Sequence, residues 1–241
     1  MTAERPRPES DPLAGASLAV IVAARNEADR IAATVGALRE AFPAAAIWVA
    51  DDASTDGTAE VAMAAGAQVV SRGRPHGKGA NVSAAAQAAL SEAPSPGLIL
   101  LCDGDLGGSA ARLAPLVAAV DAGECELAVA SFGRRVGGGF GFALGFARWA
   151  IRRLCGFEAG APISGQRAMK AEVLRATLPF ARSYGMEIGM TVDAVRAGYR
   201  VGEYELDLSH RATGRTVGGF AHRGRQLLDF GRVYLSRRRP G

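Results

Sequence analysis

Two aspartates separated by one glycine, Asp103-Gly104-Asp105, stand directly after the most apolar run of the chain, Leu98-Ile-Leu-Leu-Cys. Two carboxylates flanking a glycine can converge on one hard divalent cation. All-oxygen ligation of that kind suits Mg2+ or Mn2+, which keep several waters and bind substrate phosphates. The same three residues also make an ordinary tight turn with two solvated acids. A second cluster, Gly77-Lys78-Gly79, opens a helical stretch. There the backbone N–H groups, the helix dipole and the ammonium all favour an anion; an exposed helix start accounts for it equally. Arg25-Asn26-Glu27 and Asp51-Asp52 follow two further apolar runs. Neither common nucleotide loop is present. Gly79 follows the lysine where a P-loop needs Ser or Thr, and the first turn, Ala-Ala-Arg-Asn-Glu, lacks G-x-G-x-x-G.

Four polar clusters can meet only if the runs before them are neighbouring parallel strands, because open α/β sheets bind ligands beyond the carboxyl ends of their strands. The pattern predicts such strands at Leu18 to Ala23, Ile47 to Ala50, Gln68 to Ser71 and Leu98 to Cys102. Continuous apolar runs of this length are the mark of strands buried on both faces. Helices are predicted between them over Glu27 to Ala41, over Thr55 to Ala65 capped by Ser54 and ended by Gly66, and over Lys78 to Ser91. The alternation predicts an α/β fold with a mostly parallel central sheet and helices on both faces.

The second half is less regular. It reads as a helix from Ser109 to Asp121, a strand from Leu127 to Phe132, a glycine-rich loop and an amphipathic stretch from Phe142 to Leu154. A turn at Ala161 to Gly165, a helix near Lys170 to Ala176, a helix from Glu187 to Ala197 and a strand from Val201 to Leu208 follow. The end of the chain, Val217 to Arg238, is predicted helical in part.

Composition narrows the class. About half of the 241 residues are apolar and 22% are charged, enough for one substantial core. No stretch of about 18 uncharged apolar residues is present to span a membrane. Residues 1–14 read as a disordered leader without the apolar stretch of a signal peptide. Cys102, Cys125 and Cys155 are odd in number, with no CxxC pair, so reduced buried thiols are expected. Together these features predict a cytoplasmic protein. The net charge of +4 is uneven: Ser209 to Gly241 holds eight arginines and one aspartate, +7, which leaves −3 for the remainder. That tail can meet phosphates, lipid headgroups or nucleic acid. The helix bearing Phe142, Phe146, Trp149, Arg148, Arg152 and Arg153 either packs on the sheet or lies at a membrane surface.

Taken in order, Val20-Ile-Val-Ala-Ala-Arg-Asn-Glu, Val49-Ala-Asp-Asp-Ala-Ser-Thr-Asp-Gly-Thr, Gly77-Lys-Gly and Leu101-Cys-Asp-Gly-Asp-Leu resemble the donor half of family 2 glycosyltransferases of the GT-A fold. The resemblance covers about residues 20–210. It implies a single domain over 15–213, with a nucleotide-sugar half at 15–108, an acceptor half at 109–213 and a basic tail at 214–241. It further implies that Ala24, Glu27 and Asp52 lie at the nucleotide base, that Lys78 touches phosphate, and that Asp103 and Asp105 frame the ribose and a Mg2+ or Mn2+ ion. Ala23-Ala24 replaces a proline often found before the first turn, which weakens the contact assigned to Ala24. By the same resemblance His210 completes the metal site, Glu187 acts as general base on the acceptor or as a hydrogen-bond partner of the sugar, and Arg167 binds an acceptor or donor phosphate. Asp105 is counted with Glu187 as catalytic.

The acceptor half is similar to two subfamilies. Ser131-Phe-Gly-Arg-Arg, Ser164-Gly-Gln-Arg-Ala and the late Arg211 and Gly214 resemble polyprenol-phosphate sugar synthases of the dolichyl-phosphate mannosyltransferase kind. Pro162-Ile-Ser-Gly-Gln-Arg-Ala, Leu178-Pro-Phe, Tyr184-Gly-Met-Glu-Ile-Gly and Asp207-Leu-Ser-His-Arg resemble glucosyl-3-phosphoglycerate synthases. The expected activity is metal-dependent transfer of a hexose from a nucleotide-diphosphate sugar. The acceptor is a polyprenyl-phosphate or cell-envelope precursor or, alternatively, a small phosphorylated acid such as 3-phosphoglycerate. Peripheral contact with the inner face of the membrane and a homodimer are compatible with this expectation; a nucleic-acid partner is not expected. The competing classes are a nucleotidyltransferase, a non-catalytic sugar-nucleotide sensor and a basic-tailed nucleic-acid binder. The first lacks its glycine-rich loop, and the last lacks a recognised binding module.

Overall fold

The computed structural model describes residues 17–92, 94–131, 141–208 and 217–238. The leader at 1–14, the loop after Ser131 and His210 lie outside the described residues. Seven strands form one sheet: β1 (Leu18–Ala24), β2 (Ala46–Asp51), β3 (Gln68–Ser71), β4 (Leu98–Asp103), β5 (Leu127–Ser131), β6 (Arg167–Lys170) and β7 (Val201–Glu205). Their order is β3-β2-β1-β4-β6-β5-β7. Only β6 runs against its neighbours, antiparallel to both β4 and β5.

Successive side chains of a strand leave on opposite faces, so an apolar run must be covered twice. On β1, Leu18, Val20, Val22 and Ala24 face one core, which takes in α1 (Ile31–Ala41), α2 (Thr58–Ala64) and α4 (Ala114–Asp121). Ala19 and Ile21 face the other, closed by α3 (Lys78–Leu90), α6 (Ala171–Thr177) and α7 (Met186–Arg196). A third cluster joins α5 (Gly141–Cys155), α7 and α8 (Val217–Arg238) through residues such as Ala147, Ile151, Val192 and Phe230.

Five local expectations need correction. First, α1 begins at Ile31, not Glu27. Asn26 is left-handed (φ 55°), and the N–H groups of Glu27 and Ala28 are donated to the Thr58 hydroxyl and the Asp56 carboxylate. A tight turn closed on the Glu27 carbonyl fills the gap. Second, Ser54 does not cap α2, because its hydroxyl is turned back onto Asp51. The helix starts after left-handed Gly57, and Asp56 accepts the Thr58 N–H at 3.1 Å. Third, residues 107–113 wind as a 3₁₀ helix before α4. Fourth, Arg167–Lys170 is a strand where no strand was expected, since four residues reading Arg-Ala-Met-Lys carry no alternation to detect. The last strand also ends three residues early, at Glu205.

Candidate active site

The carboxyl ends of β1, β2 and β4 open on a cleft of about 970 Å³. Its walls are set by hydrogen bonds between loops that follow different strands. Asn26 donates its N–H to the Ser54 hydroxyl and accepts the Thr55 N–H on its side chain, which laces the first loop to the second. Asp51 holds Ser54 and, at 2.8 Å, the Ser71 hydroxyl. Asp52 accepts the His76 N–H at 2.7 Å, the Gly77 N–H at 3.2 Å and the Asn81 amide, with Arg25 at 3.6 Å. Asp52 therefore ties the loop before α3 to the end of β2, while one edge of it still lines the cleft.

The Asp103-Gly104-Asp105 turn is clamped from α1. The Thr34 hydroxyl donates to the Gly104 carbonyl and accepts the Gly107 N–H, both at 2.8 Å. Arg30 adds a bond to the Asp105 carbonyl at 3.0 Å. A side chain at Gly104 would lie 3.2 Å from the Ala23 carbonyl, so the turn sits close against β1.

Lys78 is the centre of the charge distribution. Its Nζ lies 2.7 Å from Asp103 Oδ1 and 2.9 Å from Glu187 Oε1. Burial by itself would lower its pKa; the two carboxylates outweigh that and hold it above the ordinary lysine value. Two glycines make this approach feasible. A Cβ on Gly165 would fall 2.6 Å from Lys78 Nζ and 2.9 Å from Asp103 Oδ2, and one on Gly79 would collide with the Ala181 carbonyl. The β4–β6 register pairs Leu101 with Arg167, which carries Gly165 and Gln166 alongside Asp103. Gln166 donates from Nε2 to Asp103 Oδ2 at 2.8 Å.

The profile of glycosyl transferase family 2 matches residues 19–176, most of the sheet and the whole clamped edge. The chain belongs to this family. No curated protein matches significantly. Among solved structures, glucosyl-3-phosphoglycerate synthase of Mycobacterium tuberculosis is 27% identical, with a TM-score of 0.74 over 94% of this chain and 82% of that one. The same enzyme in complex with Mn2+, UDP-glucose and glycerol 3-phosphate gives a TM-score of 0.75 at 27% identity, over 94% and 81% of the two chains. A mycobacterial protein gives a TM-score of 0.77 at 28% identity, over 94% and 76%.

Against this family background, the structure brings six of the expected residues together. Ala24, Glu27, Asp52, Lys78, Asp103 and Asp105 all line the cleft. Glu187, buried to 5% exposure, reaches it only through Lys78 and does not line it. Arg167 is displaced from its expected role. It is fully buried under α7, with Nε on the Ser164 carbonyl at 2.8 Å and Nη1 on the Thr191 hydroxyl at 2.9 Å, and does not reach the cleft. His210 is outside the described residues. Among the described residues no group of three His, Cys, Asp or Glu converges as a metal site. Asp103 and Asp105 supply two hard oxygen donors on one turn at the cleft edge, which is the right chemistry for Mg2+ or Mn2+.

Several contributors were not anticipated. Thr34 and Asn81 hold the site from helix interiors, where polar residues give no distinctive pattern. Gln166 stands one position before Arg167 in the Ser164-Gly-Gln-Arg motif, and it is this residue that contacts Asp103. Leu228, Asp229 and Arg232 of α8 form a wall of the cleft, and nothing in the tail's composition foretold where it would fold back.

Proposed function

We propose that the chain transfers a hexose from a nucleoside-diphosphate sugar to a small phosphorylated acid. The observation that carries this is the likeness, at 27% identity over 94% of the chain, to a glucosyl-3-phosphoglycerate synthase solved with Mn2+, UDP-glucose and glycerol 3-phosphate, combined with a cleft whose edge holds Lys78, Asp103 and Asp105. Phosphoglyceric acid is bound with Mn2+ and UDP-glucose in a further complex of that enzyme, at 28% identity.

Asp103 and Asp105 would hold a Mg2+ or Mn2+ ion, which supplies positive charge to the diphosphate as it leaves. The chain's own part is to orient the donor and to keep charge in place. Thr34 and Arg30 fix the aspartate turn, and Asp52 holds the loop that carries Lys78. Lys78 presents an ammonium, held charged by Asp103 and Glu187, beside the position of the leaving group, where electrostatic stabilisation has most effect. In our proposal Glu187 serves chiefly as the partner of Lys78, because a buried carboxylate engaged with an ammonium is poorly placed to take the acceptor's proton.

A second acceptor class, a lipid phosphate, has one observation in its favour. Leu228, Leu235 and Trp149 are 62%, 63% and 49% exposed on α8 and α5, near Arg232 and Arg152, and Leu228 borders the cleft. Peripheral membrane contact belongs to that alternative. Among the described residues no helix is long and apolar enough to cross a membrane.

The test is transfer of labelled glucose from UDP-glucose by the purified protein, with GDP-mannose as a second donor, in Mn2+, Mg2+ or EDTA. The acceptors are 3-phosphoglycerate and polyprenyl phosphate in detergent. Metal-dependent glucosylation of 3-phosphoglycerate is expected. Transfer to polyprenyl phosphate alone would replace the acceptor class, and no transfer or donor hydrolysis under any condition would refute the proposal.

A further inference from the structure

Among the described residues, the largest fully buried side chain is charged. Arg167 has 0% exposure, forms no ion pair within 4 Å among the described residues, and its Nη2 has no hydrogen-bond partner. Burial draws its pKa down to about 10, against the opposing pull of Glu187 and Glu203. An apolar side chain of similar volume would be the cheaper occupant of such a place. What Arg167 does hold is specific. Its Nη1 donates to the Thr191 hydroxyl at 2.9 Å, and that hydroxyl donates to the Glu187 carbonyl at 3.0 Å.

The preceding residue completes a circuit. Gln166, 1% exposed, donates to Asp103 Oδ2 at 2.8 Å, and its own Oε1 accepts the Ser164 hydroxyl at 3.3 Å, which orients the amide. Asp103 and Glu187 then meet again at Lys78, at 2.7 and 2.9 Å. Consecutive strand residues direct their side chains apart. Gln166, the residue before β6, and Arg167, its first residue, therefore reach two different elements, β4 through Gln166 and α7 through Arg167.

We propose that Gln166 and Arg167 are a pair of positioning residues that set the spacing of Asp103 and Glu187, and through them the place of Lys78 at the donor diphosphate. Neither touches the donor. Gln166 fixes one carboxylate oxygen of Asp103 and leaves the other to Lys78. Arg167 fixes the first turns of α7 through Thr191, and hence the height of Glu187 over Lys78. The proposal rests on the donor assignment made above.

The test is calorimetric binding of UDP-glucose with Mn2+, per folded molecule, to wild type and to Gln166→Leu, Gln166→Glu, Arg167→Met and Thr191→Val. The leucine, methionine and valine variants are expected to weaken donor binding about tenfold, the worth of one hydrogen bond to a charged group. Gln166→Glu sets a like charge against Asp103 and is expected to weaken it further. In transfer assays kcat and donor KM change while acceptor KM stays level. Should Arg167→Met fail to fold, Thr191→Val breaks the same link with little change in volume. Dissociation constants within twofold of wild type in the folded variants overturn the proposal, even if melting temperatures fall. Failure of wild type itself to bind UDP-glucose or GDP-mannose refutes the donor assignment instead, and the positioning role with it.

Discussion

The two halves of the molecule build the site by different means. From β1 to β4 the functional residues stand on the strand-end loops and the helix starts that follow them, and the loops are laced to one another by bonds such as Asn26 to Ser54 and Asp52 to His76. From β5 onward the contributions come from elements docked across the sheet. The antiparallel β6 brings Gln166 to Asp103, the 181–183 segment presses on the N-terminus of α3, and α8 lays Asp229 and Arg232 along the cleft. In the proposed reading the first half carries the donor chemistry, while the second supplies contacts to it and a wall of the cleft. Changes at the cleft carboxylates of the first half should cost activity at little cost in stability, and changes where the two halves pack together should cost both.

The largest effect is expected at the aspartate turn. Asp103→Asn and Asp105→Asn should each lower kcat/KM by about a thousandfold, the scale of losing a group that stabilises leaving-group charge. Steady-state transfer assays check this, and the melting temperature should stay within a few degrees of wild type. EDTA should reproduce the loss in the wild-type protein.

Gly79→Ala should break the joint between the halves. Its methyl group collides with the Ala181 carbonyl, and a backbone carbonyl cannot swing aside as a side chain can. Overpacking of this kind costs about 2 kcal/mol, or roughly 5 °C in melting temperature for a chain of this size. Differential scanning calorimetry measures it, and donor affinity should fall in parallel, because the neighbouring Lys78 is displaced.

A smaller effect is expected on α8. Arg237 pairs with Asp193 at 2.5 Å, and its carbonyl accepts Arg196 Nη1 at 2.8 Å, which pins the end of α8 to α7. Arg237→Ala should raise the donor KM about threefold and speed amide exchange in α8 relative to α7, as read by hydrogen exchange. Unchanged exchange in α8 would show that this helix is held by Phe230 and Val233 alone.

The smallest effect is a pH dependence far from the cleft. Hydrogen bonds from Arg200 hold the Glu126 carboxyl down to about 2, from an ordinary value of 4.5. A carboxyl whose folded pKa is depressed contributes stability above its unfolded pKa and loses it as pH falls through the folded one. The stability gap between wild type and Glu126→Gln should therefore be constant from neutral pH down to about 5 and vanish by about pH 2. Denaturant melts across that range measure it.

How much of this was legible in the sequence follows the same division. The runs at Leu18, Ile47 and Leu98 announce parallel strands because strands buried on both faces are apolar without interruption, and the short edge strand at Gln68 follows from the alternation with helices; the polar clusters after these runs share one edge. Asp103, Asp105 and Lys78 were legible for that reason. β6 was not, since four residues in antiparallel register owe their conformation to β4 and β5 rather than to their own pattern. The resemblance implies a phosphate role for Arg167 from its place after Ser164-Gly-Gln, and nothing in that motif marks the arginine as buried. Only the packed structure shows it sealed under α7, with its neighbour Gln166 in contact with Asp103. Ser54 has the side chain of a helix cap, but its hydroxyl turns to Asp51, α2 starts after Gly57, and Asp56 accepts the Thr58 N–H.

The most direct measurement is a calorimetric titration of UDP-glucose into the wild-type protein and Asp103→Asn, with Mn2+ and with EDTA, run alongside the same titration with GDP-mannose. Saturable, Mn2+-dependent binding of one sugar nucleotide to wild type, lost in EDTA and at least tenfold weaker in Asp103→Asn, is the predicted result. Binding of equal strength in all four conditions, or none to a folded wild-type protein, would contradict the assignment of the β1–β4 edge as a metal-assisted donor site.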